Sequence, residues 1–272
     1  MLPAQLYHKV PLEFEGMEDV LTSSVFALLR YLPPSLASYL LAKWAYVPLQ
    51  PDPPAVDFWP QYPTPAGFGI FLSPADQEEI ADRGDSEPDV IIRTDEWLVL
   101  VEVKYRSHLD PACDQLGREL AIGHRLAKGE GRRLRLLVVT ADVLRPRPGG
   151  QDVVVGTQRA LARVRDAGGS VTTEMIASVP PSLRWISWQR IYKSLSRTAT
   201  RADSAAQPDV SAHQRRLLED TCALLELRGL RPYSARPLAR AMERWDRAAI
   251  PDDAWRSPMR TRYRPAQSSH RR

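Results

Sequence analysis

The chain has 272 residues, 43% of them hydrophobic and 26% charged, and a formal net charge of +4. That is room for one large domain, or one domain with a small appendage, in an ordinary globular composition. Met1-Leu2-Pro3-Ala4-Gln5 lacks the basic start and apolar core of a secretory signal. Val20 to Leu49 is broken by Arg30, Pro33-Pro34 and Lys43, short of the roughly 20 apolar residues of a membrane span. Cys113 and Cys222 are too few for a disulfide framework or a zinc site. A cytoplasmic protein with no membrane partner is expected.

In chain order, Phe14, Met17, Leu21, Val25, Leu28 and Leu32 recur at helical spacing and predict an amphipathic helix over Leu12 to Leu32. At about 100° per residue, Glu18 falls inside the apolar sector and Asp19 outside it. A carboxylate on a buried face needs a partner. Ser35 to Tyr46 predicts a second helix after the Pro33-Pro34 break. Pro48 to Pro74 is proline-rich, and Val56 to Pro60 reads as an edge strand. Asp110-Pro111 predicts a helix start, with aspartate as cap and proline at the first position, running to about Lys128. Leu134 to Thr140 predicts a strand, Val153 to Ala167 a helix, Thr172 to Val179 a strand, and Ser187 to Leu195 a short helix. Ser211–Arg228 and Pro237–Ala249 predict further helices. The expected organisation is a principal domain over 1–195, a linker over 196–210, a small helical region over 211–250 and a disordered basic tail over 251–272.

Between the first helices and the Asp110 helix stands the stretch Pro88-Asp89-Val90-Ile91-Ile92-Arg93-Thr94-Asp95-Glu96-Trp97-Leu98-Val99-Leu100-Val101-Glu102-Val103-Lys104. Two β-rich apolar runs around a polar Asp95-Glu96 step predict a hairpin. With those two residues as the turn, Thr94 faces Trp97 and, counting outward, Asp89 faces Glu102. Opposed side chains have Cβ atoms roughly 4.5–5.5 Å apart, where like charges destabilise the sheet. Period-two alternation puts Lys104 on the face of Glu102. Two carboxylates and an ammonium converge on one strand end, and a hard divalent cation with a preference for oxygen would relieve the repulsion. The competing reading is a cross-strand salt-bridge cluster. Ile91, Leu98 and Leu100 on one face and Val90, Ile92, Val99 and Val101 on the other mark a central pair covered on both sides, an α/β or α+β core.

Pro88-Asp89 and Glu102-Val103-Lys104 resemble the two halves of the PD-(D/E)XK motif, and the element order is similar to the α-β-β-β-α-β core of that nuclease superfamily, over about Glu13 to Thr140. The resemblance implies a restriction-endonuclease-like fold with a mixed central sheet. It implies Mg2+ (or Mn2+) bound by Asp89, Glu102 and the Val103 carbonyl, with Lys104 orienting or activating the attacking water or stabilising phosphate charge. It implies a further acid from the first helix, for which Glu18 is on the right face, and an accessory glutamine on the following helix, for which Gln115 is the match. The tyrosine that RecB-type branches place a turn later is Glu119 here.

The activity implied is metal-dependent hydrolysis of DNA, in a prophage, restriction or defence setting. The alternative is a non-catalytic nucleic-acid-binding or assembly subunit; a third option is an RNA-directed nuclease or a protein that works only inside a complex, with the helices after Ser211 as the surface for a partner protein. Desolvation or neighbouring cations would lower the Lys104 pKa, as a general base requires. The cluster Arg132-Arg133-Leu134-Arg135 and the arginines of the tail suit a polyanion, or simply a solvated surface. His108 and His124 lack ligand spacing, and Trp185, Trp188 and Tyr192 suit either bases or core packing.

Overall fold

The computed structural model describes residues 17–50, 52–66, 68, 85–200 and 208–232. The first predicted helix is divided into α1 (Glu18–Phe26) and α2 (Leu28–Tyr31). Thr22, Ser23 and Ser24 turn their hydroxyls back onto the carbonyls of Glu18 and Val20, which bends a helix. Leu21, Val25, Leu28 and Leu32 are buried as their spacing requires, whereas Met17 is exposed and Phe14 lies outside the described residues. The helix α3 (Pro34–Ala45) opens on a proline, whose missing N–H costs nothing at that position, and ends at Tyr46 in the left-handed region.

The strands β1 (Ala55–Phe58), β2 (Tyr62–Pro63), β3 (Asp85–Ser86), β4 (Val90–Arg93) and β5 (Trp97–Lys104) follow. Then come α4 (Asp114–Glu130), β6 (Arg133–Thr140), α5 (Val153–Asp166), α6 (Thr173–Ser182), β7 (Leu183–Ser187), α7 (Trp188–Thr200) and α8 (Ala212–Leu227). Five strands form one mixed sheet in the order β1-β4-β5-β6-β7, antiparallel at the first two pairings and parallel at the last two. A separate small ribbon pairs β2 with β3. The chain is therefore an α/β protein with helices on both faces of a five-stranded sheet. Val90, Ile92, Val99 and Val101 pack on the layer of α1, α2, α3, α7 and α8; Ile91, Leu98 and Leu100 pack on that of α4, α5 and α6. β1 lies at the sheet edge, where the following Pro60 needs no ladder partner.

Some expectations change. The α4 helix starts at Asp114 rather than at Pro111. Asp110 still ties the approach, since Oδ1 accepts from the Ala112 amide and Oδ2 from the Asp114 amide, both at 2.9 Å, while Cys113 enters the helix with φ 59°. Thr172 to Val179 is not a strand. Thr172 caps α6 by accepting from the Met175 amide, with Glu174 in the first turn, and the helix reaches Pro180-Pro181 in its final residues. The strand is instead β7, which had no place in the sequence reading. α7 runs on to Thr200, through the start of the segment read as a linker. In α8, Ser211 and Gln214 form a reciprocal capping box. Its Leu218, Leu224 and Leu225 are fully buried in the same apolar layer as α1 and α3. The predicted Pro237–Ala249 helix and the basic tail lie outside the described residues.

Candidate active site

The hairpin register decides which side chains meet. Val90 pairs with Val101 and Arg93 with Leu98, so one step outward sets Asp89 against Glu102. At the other end, Thr94 receives and returns hydrogen bonds with Trp97 around the Asp95-Glu96 turn. Asp89 sits just before β4, and its Oδ2 accepts from the Val103 amide at 2.7 Å. Glu102, in the last turn of the pleat in β5, is 1% exposed and shares the α4 side of the sheet.

Around Glu102 the partners are unequal. Its Oε1 lies 2.7 Å from Lys104 Nζ and accepts from Gln115 Nε2 at 2.5 Å, while its Oε2 is buried with no hydrogen-bond partner. Lys104 Nζ is also 3.9 Å from Glu18 Oε1. The other oxygen of Glu18 accepts from the Tyr105 amide and, at 2.9 Å, from the Ser107 hydroxyl. α1 thus ties its first residue to the end of β5, and Asp19 is exposed. Asp89, Glu102, Lys104, Glu18 and Gln115 all lie together, and Val103 takes part through its backbone amide.

Glu119 is the member that sequence reasoning passed over. It stands one turn after Gln115 on the same face of α4, is 2% exposed, lies close enough to Glu102 to feel its charge, and has a buried Oε2 without a partner. The signal was available: a position four residues beyond a glutamine aimed at the strand end shares its direction.

Electrostatics follow from burial and crowding. Desolvation first, then the Glu102 charge, push the Asp89 carboxyl up to about 8, against the pull of the Val103 amide and Lys104. The Glu119 carboxyl is held well above its ordinary value by burial, then by Glu102. For Lys104 burial acts downward, but Glu102, Glu18 and Asp89 outweigh it and raise its pKa. This reverses the expected lowering. Among the described residues no cation opposes the carboxylates' pull, so Lys104 is held as an ammonium, suited to charge stabilisation rather than to proton abstraction.

The fit to a divalent cation rests on donor chemistry. Glu102 Oε2 is an orphaned buried oxygen opposite a second carboxyl, and an all-oxygen set suits a hard ion. Among the described residues no three His, Cys, Asp or Glu side chains form a ready ligand group, with Lys104 on Glu102 Oε1 and the Val103 amide on Asp89 Oδ2. His124 bonds Ser178 at 2.5 Å, and Trp188 is fully buried against Phe26, so neither belongs to the site. Trp185 Nε1 donates to Thr140 at 3.0 Å.

The arginine cluster at the start of β6 lies at the opposite strand end. Arg133 and Arg135 both stand over the Trp97 ring; Arg135 is 5% exposed and serves the hairpin, whereas Arg133 stays exposed. Nearer the site, the loops after β5 and β6 enclose a cavity of about 580 Å3, lined by His108, Asp142, Arg145 and Arg147 among others. No helix among the described residues is long and apolar enough to cross a membrane. Compared with family models, curated proteins and solved structures, the chain matches none of them.

Proposed function

We propose that this chain is a Mg2+-dependent phosphodiesterase that cleaves DNA, built on a restriction-endonuclease-like core. One observation carries the reading: an acid pair opposed across a central hairpin leaves Glu102 Oε2 buried and unpartnered, with an ammonium on the same face. A structural salt bridge has no use for the extra oxygen or for the protonation forced on Asp89. The cavity by the strand ends that carry Lys104 and Thr140 is lined by Arg147, by Arg145, which pairs with Asp152 at 3.2 Å, and by Asp142; Arg147 is the cation there that would answer a phosphate-bearing substrate.

When bound, the divalent ion supplies a water deprotonated near neutral pH and offsets charge on the phosphate. Asp89 and Glu102 would hold it with their carboxylate oxygens. Gln115 fixes the Glu102 plane through Oε1 and leaves Oε2 for the ion. Lys104 keeps its proton and presents positive charge to a phosphate oxygen. Glu18 anchors the strand end through the Tyr105 amide and Ser107, and so keeps Lys104 over the acids.

A second reading, a non-catalytic nucleic-acid-binding or assembly subunit, draws on the direct Lys104–Glu102 pair at 2.7 Å, which already balances one acid. Lys104→Ala separates the two. Wild type is expected to nick or degrade DNA with Mg2+ or Mn2+, and Lys104→Ala to lose at least about a hundredfold in rate, the scale of a removed charge stabiliser, with its thermal unfolding retained. Wild type that cleaves no form of DNA or RNA with either ion, and shows no calorimetric Mg2+ binding that Asp89→Asn removes, would favour the second reading.

A further inference from the structure

On the other layer of the protein, α3 and α7 enclose a groove of about 510 Å3 lined by Tyr39, Lys43, Tyr46, Arg190, Lys193 and Arg197. Tyr39 packs in the apolar layer of α1 and α7, whereas Glu102 faces the α4 layer with Gln115, so the groove is separate from the acid site. No acidic side chain lines it. The sequence explains why: the chain carries 33 Asp and Glu residues, yet none falls between Val20 and Pro51 or between Met175 and Thr200.

Arg190, Lys193 and Arg197 recur on one face of α7, and all three are exposed. Like charges three and four residues apart repel. Elsewhere such a face is balanced within its own helix, as Arg216 is by Asp220 at 3.1 Å on α8. On α7 the only other lining cation comes from α3, and it adds to the repulsion. The surroundings are positive as well. Arg135 Nη2 donates to the Tyr46 carbonyl at 3.2 Å, and burial, with repulsion from Arg184 and Arg133, pulls that guanidinium down to about 10.

Tyr46 gives an independent sign. It has φ 54° and ψ 45°, a helix-ending conformation that ordinarily falls to glycine or asparagine, and its side chain is 52% exposed at the groove. A large ring held on strained backbone keeps about half of its surface in solvent, beside the groove.

We propose that this groove binds clustered phosphates, with the Tyr46 ring offered to an attached base. The ligand is either a free polyphosphate or nucleoside polyphosphate, or the phosphodiester backbone of a nucleic acid strand. The chemistry is common to both: several adjacent anionic oxygens answered by four side-chain cations. The binding does not depend on hydrolysis at Glu102.

The full chain, kept in a metal chelator, is titrated calorimetrically with inorganic tripolyphosphate and, separately, by anisotropy with a labelled single-stranded oligodeoxynucleotide. Lys193→Glu combined with Arg197→Glu is expected to weaken binding by about tenfold or more, as loss of phosphate contacts does. Lys128→Glu, exposed at the end of α4, is expected to change it by less than about twofold. Weakening in the tripolyphosphate arm assigns a free polyphosphate ligand, and weakening confined to the oligonucleotide assigns the backbone. Should the reversal not fold by circular dichroism, Lys193→Gln with Arg197→Gln is read by the same criterion. Neither probe binding wild type, or both binding the variant as tightly as wild type, overturns the proposal.

Discussion

Asp89 in the metal-free protein keeps its proton to about pH 8, where an ordinary aspartate loses it near 3.8. Between those values the folded chain binds more protons than the unfolded one, so this group's contribution to stability falls as pH rises. Glu119, also raised, acts with the same sign. The thermal midpoint of the metal-free protein is therefore expected to drop from about pH 4 to about pH 8, and to drop less in Asp89→Asn/Glu119→Gln. Equal slopes in the two proteins would remove the assignment. On the proposed reading a divalent cation held by Asp89 and Glu102 would replace the proton as the neutraliser, and added Mg2+ is expected to flatten the wild-type curve.

Among the helices, α4 brings both Gln115 and Glu119 to the site, and the chain enters it through Cys113. Gly156 of α5 makes room for that entry: a Cβ there would stand 2.6 Å from Cys113 Sγ and 3.5 Å from its Cβ. Gly156→Ala is expected to cost about 1–3 kcal/mol in urea unfolding, as an overpacked contact does. Cys113→Ala, which removes the obstructing sulfur, should recover part of that loss in the double variant.

The hairpin, its register and the face shared by Asp89, Glu102 and Lys104 were legible because period-two alternation and a two-residue turn leave one solution. The helix face of Glu18 followed from helical phase, and Gln115 from the motif resemblance. The region from 172 to 187 was not legible. Thr172, Thr173, Ile176 and Val179 have the composition of a strand, but the Thr172 cap gives the run to a helix. β7, five residues between two helices with no turn signal, is defined by pairing beside β6. The sign of the Lys104 shift was misjudged although its main cause, Glu102 on the same face, was legible; how far the acids outweigh burial depends on the depth of the site and on Glu18, which the tertiary fold brings in.

At the scale of the molecule, α8 is part of the layer that holds α1, α3 and α7. Leu218, Leu224 and Leu225 are each fully buried there. Burying a leucine is worth roughly 1.5–3 kcal/mol, so three of them are comparable with the roughly 5–15 kcal/mol that holds a domain folded. A chain ending at Thr200 is expected to lose its cooperative thermal transition. A truncated protein with wild-type midpoint would make α8 an independent appendage. Tyr105, which donates its hydroxyl to the Arg228 carbonyl at 2.9 Å, ties this end of the chain to the residue next to Lys104.

The Asp95-Glu96 turn also fixes an order of events. β4 and β5 close over two residues, whereas β5 and β6 pair only after the whole of α4 has been threaded between them. Loop closure favours the short connection, so the hairpin is the first part of the main sheet to assemble. Asp89 and Glu102 consequently approach each other before Gln115 and Glu119 arrive to share the charge. In the hairpin alone Lys104 answers these two acids, and a proton taken up by Asp89 would ease the remaining repulsion before α4 is in place.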